Sequence, residues 1–287
     1  MEKRRRIKNV VIYPGKRPEI LEFINKVSGW LKARNISVYM PADCAKFFNL
    51  KELSASDKTI FKNADVVLSL GGDGTFLRAA RYLCGHDIGV LGINLGRKGF
   101  LTEISIEEID EYLKLLIAGR YKVEKRMMLD CGITRDKKKV FSGTALNDVV
   151  MSKGSFEHLL KIKTYVNGSY AASFTSDGLI VSTPTGSTAY AVSAGGPIVA
   201  PGTGCIVMAA ICPHTLSARP LIISKDDVVN IEEENVQKVD IIIDGQIKFS
   251  SLRKDKITVK KSSKSTKIIR IKKGFYEIIR DKLKWVE

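Results

Sequence analysis

The apolar run Val66-Val67-Leu68-Ser69-Leu70 leads directly into Gly71-Gly72-Asp73-Gly74-Thr75. A short apolar stretch bounded by turn residues reads as a buried strand, and Thr75 to Cys84 beyond it has helical spacing. A strand that ends in glycines and restarts as a helix is the unit from which helix-covered parallel sheets are built. At the carboxyl end of such a strand the turn and helix amides point outward as an anion site, and missing β-carbons let a phosphate or ribose come close. Asp73 does not fit simple anion capture. A carboxylate there repels an anion unless it binds a metal or takes a proton, so it points to chemistry or to a magnesium ion. The plainer alternative is a tight turn permitted by Gly71, Gly72 and Gly74, with Asp73 as the helix N-cap. Neither standard nucleotide fingerprint occurs: no GxGxxG follows a strand, and GxxxxGK[ST] is absent.

The surrounding sequence agrees with an α/β beginning. Asn9 to Tyr13 reads as a strand, and Pro18 to Asn35 as a helix with Ile20, Leu21, Phe23, Ile24, Val27, Trp30 and Leu31 at helical spacing. Ile36 to Met40, Asp65 to Leu70 and Ile88 to Gly92 read as further strands, and Ser105 with Glu108 as a capping box for a helix reaching Ala118. After Tyr121 the pattern becomes strands joined by tight turns. Asn167-Gly168 and Asp244-Gly245 are both two-residue hairpin signals, which predict antiparallel sheet. Lys267 to Ile271 reads as a strand and Phe275 to Leu283 as an amphipathic helix, with no internal repeat or low-complexity linker. A length of 287 residues favours two domains, and the composition, 44% hydrophobic and 27% charged, is that of a folded chain.

Lys and Arg outnumber Asp and Glu by 47 to 31, a net charge of +16 that admits nucleic acid, an anionic membrane or phosphorylated small molecules as partners. Much of the excess lies in Lys254 to Lys273 and in Arg4, Arg5 and Arg6, without interleaved aromatic residues for base stacking. We read it as a solvated basic face and expect neither a nucleic-acid partner nor a membrane. The five cysteines, Cys44, Cys84, Cys131, Cys205 and Cys212, are scattered and never form a C-x-x-C pair, which argues against a disulfide framework and a zinc site. With no apolar run long enough for a membrane span or signal-peptide core, a cytoplasmic location is expected.

A second cluster begins at Asn147-Asp148, which a turn or bulge would also explain. It continues in Asp177-Gly178-Leu179-Ile180-Val181-Ser182-Thr183-Pro184-Thr185-Gly186-Ser187-Thr188-Ala189-Tyr190, with Ser193 and Gly195-Gly196-Pro197 behind. Small residues let flat rings lie against backbone, hydroxyls can bond ribose and amide groups, and Tyr190 can stack on a base. Together with GGDGT, Cys212 to Ser217 and Asp244-Gly245-Gln246, these motifs resemble those of NAD kinases, from Val66 to Phe249 with strong motifs and more weakly at the ends. Diacylglycerol kinases, sphingosine kinases and phosphofructokinases have loops related to GGDGT, so the long second motif decides. A lipid kinase would need an apolar slot for acyl chains, and Thr185 to Tyr190 is too polar for one. A dinucleotide sensor would not need Asp73, and a nucleic-acid binder would show a steep salt dependence.

The resemblance implies an N-terminal Rossmann-like or flavodoxin-like parallel α/β domain (1–120) carrying the glycine turn. A β-sandwich-type antiparallel domain (121–260) that binds NAD would follow, with a C-terminal segment (261–287) packing back on the first domain. It implies phosphorylation of the 2′-hydroxyl of the adenosine ribose of NAD by ATP or polyphosphate, with Asp73 as the base and Gly72, Gly74 and Arg78 bounding its pocket. Asn147 and Asp148 would hold ribose hydroxyls, the family often having Glu at the second position. His158, Asp177, Thr188, Ala189, Tyr190, Ser193 and Gln246 match dinucleotide contacts. Thr175 stands where several relatives carry a basic residue, so a charge contact to the dinucleotide is missing and NAD and NADH both stay open. Mg²⁺ or another divalent cation would arrive with the triphosphate instead of sitting in a protein cage. A homo-oligomer, dimer or tetramer, is also implied.

Overall fold

The computed structural model describes residues 7–96, 99–154, 158–215, 217–235 and 238–284. Arg4, Arg5, Arg6 and Leu216, which entered the sequence reading, lie outside them. Compactness divides the chain into Arg126–Ser265 and a unit made of the two flanking stretches.

In the flanking unit, strands β1 (Asn9–Pro14), β2 (Ser37–Pro41), β3 (Ser54–Ala55), β4 (Val66–Leu70), β5 (Gly89–Asn94) and β6 (Ile104–Ser105) alternate with helices. These are α1 (Leu21–Lys32), α2 (Ala42–Phe48), α3 (Asp57–Asn63), α4 (Asp73–Tyr82) and α5 (Ile109–Ile117). The strands pair in parallel, and the order across the sheet is β5, β4, β1, β2, β3. The chain therefore winds outward from β1 on one side through β2 and β3, then crosses back to lay β4 and β5 on the other. Between β1 and β4 the winding reverses, and in such sheets the crevice beyond the carboxyl ends of those two strands receives ligands. Every residue of β4 is buried, as a strand covered on both faces must be. Phe23, Ile24, Val27 and Leu31 lie on one face of α1 and enter the same core as Val10, Ile12 and Leu68. Each such side chain stabilises the fold by about 1.5–3 kcal/mol.

Some boundaries differ from the sequence reading, for local reasons. Pro18–Ile20 is a separate 3-10 turn before α1, because proline opens the segment with φ preset but no N–H to donate. α4 starts two residues before Thr75, since the Gly72 carbonyl already accepts from the amides of Thr75 and Phe76. α5 begins at Ile109. Glu108 does accept from the Ser105 amide, but the Ser105 hydroxyl donates to the same carboxylate and does not cap the helix. The short α2 and α3 were not foreseen.

Within Arg126–Ser265 the strands are antiparallel. The chain enters along β7 (Lys122–Arg135), followed by β8 (Lys138–Ala145), β9 (Asp148–Ser152), β10 (Leu160–Val166), β11 (Ser169–Ser176) and β12 (Gly178–Ser182). A 3-10 turn (Gly186–Thr188) and the one-turn α6 (Tyr190–Ser193) precede β13 (Cys205–Ile211), β14 (Leu221–Ser224), β15 (Val228–Glu233), β16 (Lys238–Ile243) and β17 (Ile247–Leu252). One sheet has the order β14, β13, β12, β9, β16, β17. Its inward residues, among them Val149, Met151, Leu179, Val181 and Ile241, share a core with Ile162 of β10, Ile231 of β15 and Ile133 of β7, which makes the unit a sandwich. Asn167 and Gly168, at φ 51° and 82°, form the expected two-residue hairpin. The second hairpin is longer: Ile243 faces Ile247, so Gln246 joins Asp244 and Gly245 in a three-residue turn.

Finally β18 (Lys256–Arg270) pairs first with β15 and then, at Lys267 and Ile268, with β5 of the flanking unit's own sheet, before α7 (Phe275–Leu283). Ile269 lies in the core beneath the parallel sheet, the physical form of the expected return of the C-terminal segment.

Candidate active site

The glycine turn sits at the switch point. Gly71 follows β4 at φ 153°, and a β-carbon there would lie 2.4 Å from the Thr75 hydroxyl oxygen, so the turn excludes any other residue. Gly72 is the N-cap of α4 and Asp73 its first residue. The N-cap alternative for Asp73 is thereby overturned, because its side chain turns away from its own helix. Asp73 Oδ2 accepts from the amide of Phe100 at 2.8 Å; Oδ1 accepts from the amides of Leu101 and Thr102, each at 3.1 Å, and from the Thr102 hydroxyl at 2.9 Å. Asn94, at the end of β5, donates to that hydroxyl at 2.9 Å. A β-carbon on Gly99 would fall 1.8 Å from Asp73 Oδ1 and one on Gly92 would fall 2.5 Å from the Leu101 carbonyl, so both glycines are required for this close approach.

A carboxylate offers about four acceptor directions, two per oxygen. Oδ1 is surrounded by three donors, whereas Oδ2 has one among these bonds. The arrangement holds the carboxylate still and leaves an acceptor direction on Oδ2. Gly74 and Arg78 are exposed beside it, Arg78 leaning on the Thr75 hydroxyl at 3.4 Å. The Phe100–Thr102 clamp escaped sequence reasoning. Its trace in the sequence was Gly92 and Gly99, which admit the close approach but name no partner.

In the second unit, Asn147 and Asp148 are set by three interlocking segments. Asp244 Oδ1 accepts from the amides of Asn147 at 2.7 Å and Asp148 at 3.2 Å, and Oδ2 accepts from that of Leu146 at 3.1 Å. The Asn147 carbonyl accepts from the Thr183 amide and the Ser182 hydroxyl, and the Leu146 carbonyl from the Thr183 hydroxyl. Gly186 must be glycine, since a β-carbon would lie 2.2 Å from the Asn147 carbonyl oxygen. Asn147 Oδ1 is buried with no hydrogen-bond partner among the described residues, an acceptor waiting for a donor such as a sugar hydroxyl. Thr188, Ala189, Tyr190 and Ser193 follow in the adjoining turn and α6, with Tyr190 47% exposed. Gln246 is exposed on the hairpin that carries Asp244. Sequence reasoning read Asp244 as part of a turn and of a family motif, and gave it no part in holding Asn147 and Asp148.

The remaining residues gather elsewhere. β12 separates Asp177 from Thr183, six positions further on, and at about 3.3 Å per residue the two lie roughly 20 Å apart. Asp177 is ion-paired with Lys153 at 2.6 Å. Leu160 faces Ser176 across β10 and β11, which brings the exposed His158 to this same end as Thr175. Thr175 lines a cleft of about 340 Å³ with Phe174, Met208, Pro213 and Arg219. The contacts expected of this unit thus form two groups at opposite ends of β12.

Burial, then the charge of Asp244, pushes the Asp148 carboxyl up to about 7. The folded protein therefore keeps this proton to higher pH than the unfolded chain, and the group withdraws stability as pH rises from about 4 to about 7. Asp148→Asn, which cannot ionise, is expected to melt roughly 5 °C above the parent at pH 8, the gap shrinking steadily towards pH 4. Thermal melts across that range check it, and a gap independent of pH would remove the cause assigned here.

A switch point with a glycine turn is where doubly wound sheets receive nucleotides, so fold and site define a nucleotide-handling α/β enzyme with an added β-sandwich. Comparison with known proteins narrows this. Residues 9–121 match the ATP-NAD kinase N-terminal domain and residues 146–271 the ATP-NAD kinase C-terminal domain. The NAD kinase of Natranaerobius thermophilus is 39% identical over 92% of this chain and 93% of its own, and that of Thermoanaerobacter sp. (strain X514) 40% identical over 92% and 94%. Yeast NADH kinase complexed with NADH superimposes with a TM-score of 0.85 at 27% identity, over 98% of this chain and 89% of that one. An NAD kinase from Archaeoglobus fulgidus shares the fold, with a TM-score of 0.77 at 24% identity over 97% of this chain and 100% of its own. The chain belongs to the ATP-NAD kinase family.

Proposed function

We propose that Asp73 is the general base of this kinase and that Oδ2 is the atom that takes the proton. The observation that carries the reading is the clamp on Asp73: donors crowd Oδ1, and an acceptor direction on Oδ2 is left over. As the 2′-oxygen of the adenosine ribose bonds to the γ-phosphorus of ATP, the bond from that phosphorus to its bridging oxygen breaks, ADP leaves, and the hydroxyl proton passes to Oδ2. A base held rigidly contributes about 10² to 10⁴-fold, and phosphoryl transfer otherwise asks mainly for alignment and charge neutralisation.

Asn147 Oδ1 accepts from a ribose hydroxyl, and Asp148 bonds the same sugar. Thr188, Ala189, Tyr190, Ser193 and Gln246 line the dinucleotide, while His158, Thr175 and Asp177 are contacts of the separate group at the far end of β12. Gly72, Gly74 and Arg78 bound the pocket of Asp73. A divalent cation, Mg²⁺ or Mn²⁺, supplies charge neutralisation at the phosphates. Among the described residues no group of three or more His, Cys, Asp and Glu is gathered as a cage, and Asp73 is committed to backbone amides, both of which fit an ion carried by the nucleotide. The domains are those named above, 1–120, 121–260 and 261–287. A homo-oligomer is supported by edge strand β14, where Leu221 and Ile222 are 42% and 51% exposed. A cytoplasmic location is supported by five unbridged cysteines. Among the described residues no helix is long and apolar enough to cross a membrane.

The test incubates the purified protein with NAD or NADH, magnesium, and either ATP or polyphosphate, and measures the 2′-phosphorylated product. Product with at least one donor is expected, and none with either would sink the reading.

A further inference from the structure

Behind the clamp lies a buried ion pair that the proposed chemistry does not use. Arg270, the last residue of β18, and Glu103, just after Thr102, are 6% and 5% exposed. The guanidinium reaches three groups. Nη2 donates to the Phe100 carbonyl at 3.1 Å, Nη1 lies 3.7 Å from Glu103 Oε2, and Nε lies 3.6 Å from Glu124 Oε2. Glu103 in turn accepts from the amides of Ile271 and Lys272 through Oε1 and of Lys273 through Oε2.

These bonds meet in a single peptide group. Its carbonyl, on Phe100, accepts from Arg270; its N–H, on Leu101, donates to Asp73 Oδ1 at 3.1 Å. A cation on the carbonyl side of a peptide polarises it and strengthens the N–H as a donor. Glu103 fixes both partners, since it follows directly on the clamp and binds the three residues after Arg270. Burying an arginine among two glutamates is weak evidence for stability, because desolvation opposes the attraction, so a role in setting geometry accounts better for the cluster.

We propose that Arg270, ion-paired with Glu103, is a positioning residue for the base, acting on Asp73 through the Phe100–Leu101 peptide. The inference rests on Asp73 being the base. When Arg270 is removed, the peptide loses its cationic partner, the clamp loosens, and the acceptor direction on Oδ2 is no longer held. The chemical step slows while NAD binding, which this cluster does not touch, stays as it was.

The experiment is a double-mutant cycle on the full chain, measuring kcat and KM for NAD. Arg270→Met is expected to lower kcat about 10-fold with KM changed by less than about two-fold, and Arg270→Lys, which keeps the charge but loses the planar fork, to fall between. In an Asp73→Asn background the same Arg270 change is expected to alter the residual rate by less than about two-fold. Should Arg270→Met fail to fold, Arg270→Lys serves for both readings. An equal fold-loss in the two backgrounds, a rise in KM matching the fall in kcat, or an unchanged kcat overturns the proposal. Near-normal turnover of Asp73→Asn alone would instead overturn the assignment of the base.

Discussion

Asp73→Asn is expected to lower turnover by at least about 10²-fold while NAD still binds within a few-fold of the parent. The amide has the size of the carboxylate but differs in two ways. Its oxygen can still face the three donors around Oδ1, yet its NH₂ then stands where Oδ2 accepted from Phe100, donor against donor. More directly, an amide nitrogen cannot take a proton from a hydroxyl. Dinucleotide contacts assigned to the sandwich unit are untouched, so binding and chemistry should separate. Steady-state kcat with calorimetric titration of NAD checks this, and turnover close to normal would remove Asp73 from the chemistry.

Asp244→Asn is the second large effect, although the residue reaches solvent hardly at all, at 6% exposure. Three amides converge on its two oxygens. In the asparagine variant one oxygen can still serve Asn147 and Asp148, but the nitrogen then faces the Leu146 N–H, leaving a buried donor unpaired at about 1–3 kcal/mol. The Leu146 to Asp148 turn should shift and carry Asn147 Oδ1 with it. We expect the melting temperature to fall by roughly 5 °C and the KM for NAD to rise by about 10-fold or more, with a smaller change in kcat. A variant with normal KM and only a lower melting temperature would reduce Asp244 to a structural part of the hairpin.

Much of the site was legible because its constraints are local. Gly71 is read from sequence, as a chain that must turn beneath its own Thr75 hydroxyl admits no β-carbon. Part of the polar run after Ser182 is read likewise, since two of its hydroxyls bond carbonyls three residues back, Ser187 to Pro184 and Thr188 to Thr185, whereas that of Thr183 reaches the distant Leu146 carbonyl. What stayed hidden is held by partners distant in the chain. The Phe100 to Thr102 amides act through backbone, which any residue supplies, so no side-chain pattern marks them. Asp244 lies 96 to 98 residues from the amides it binds, and nothing within its own segment, a turn signal and a family motif, points to them.

The sequence by itself settled that a buried parallel strand ends in a glycine turn bearing one acid, that an antiparallel unit follows, and which family's motifs the chain carries. Periodicity and turn chemistry act over a few residues, and those are the interactions a sequence displays. Only the tertiary structure decided where the acid points, which of its oxygens keeps an acceptor direction, and that the sandwich unit's expected contacts fall at two ends of β12. Those outcomes depend on strand order and register, which bring together groups tens to hundreds of residues apart, and no local pattern encodes them.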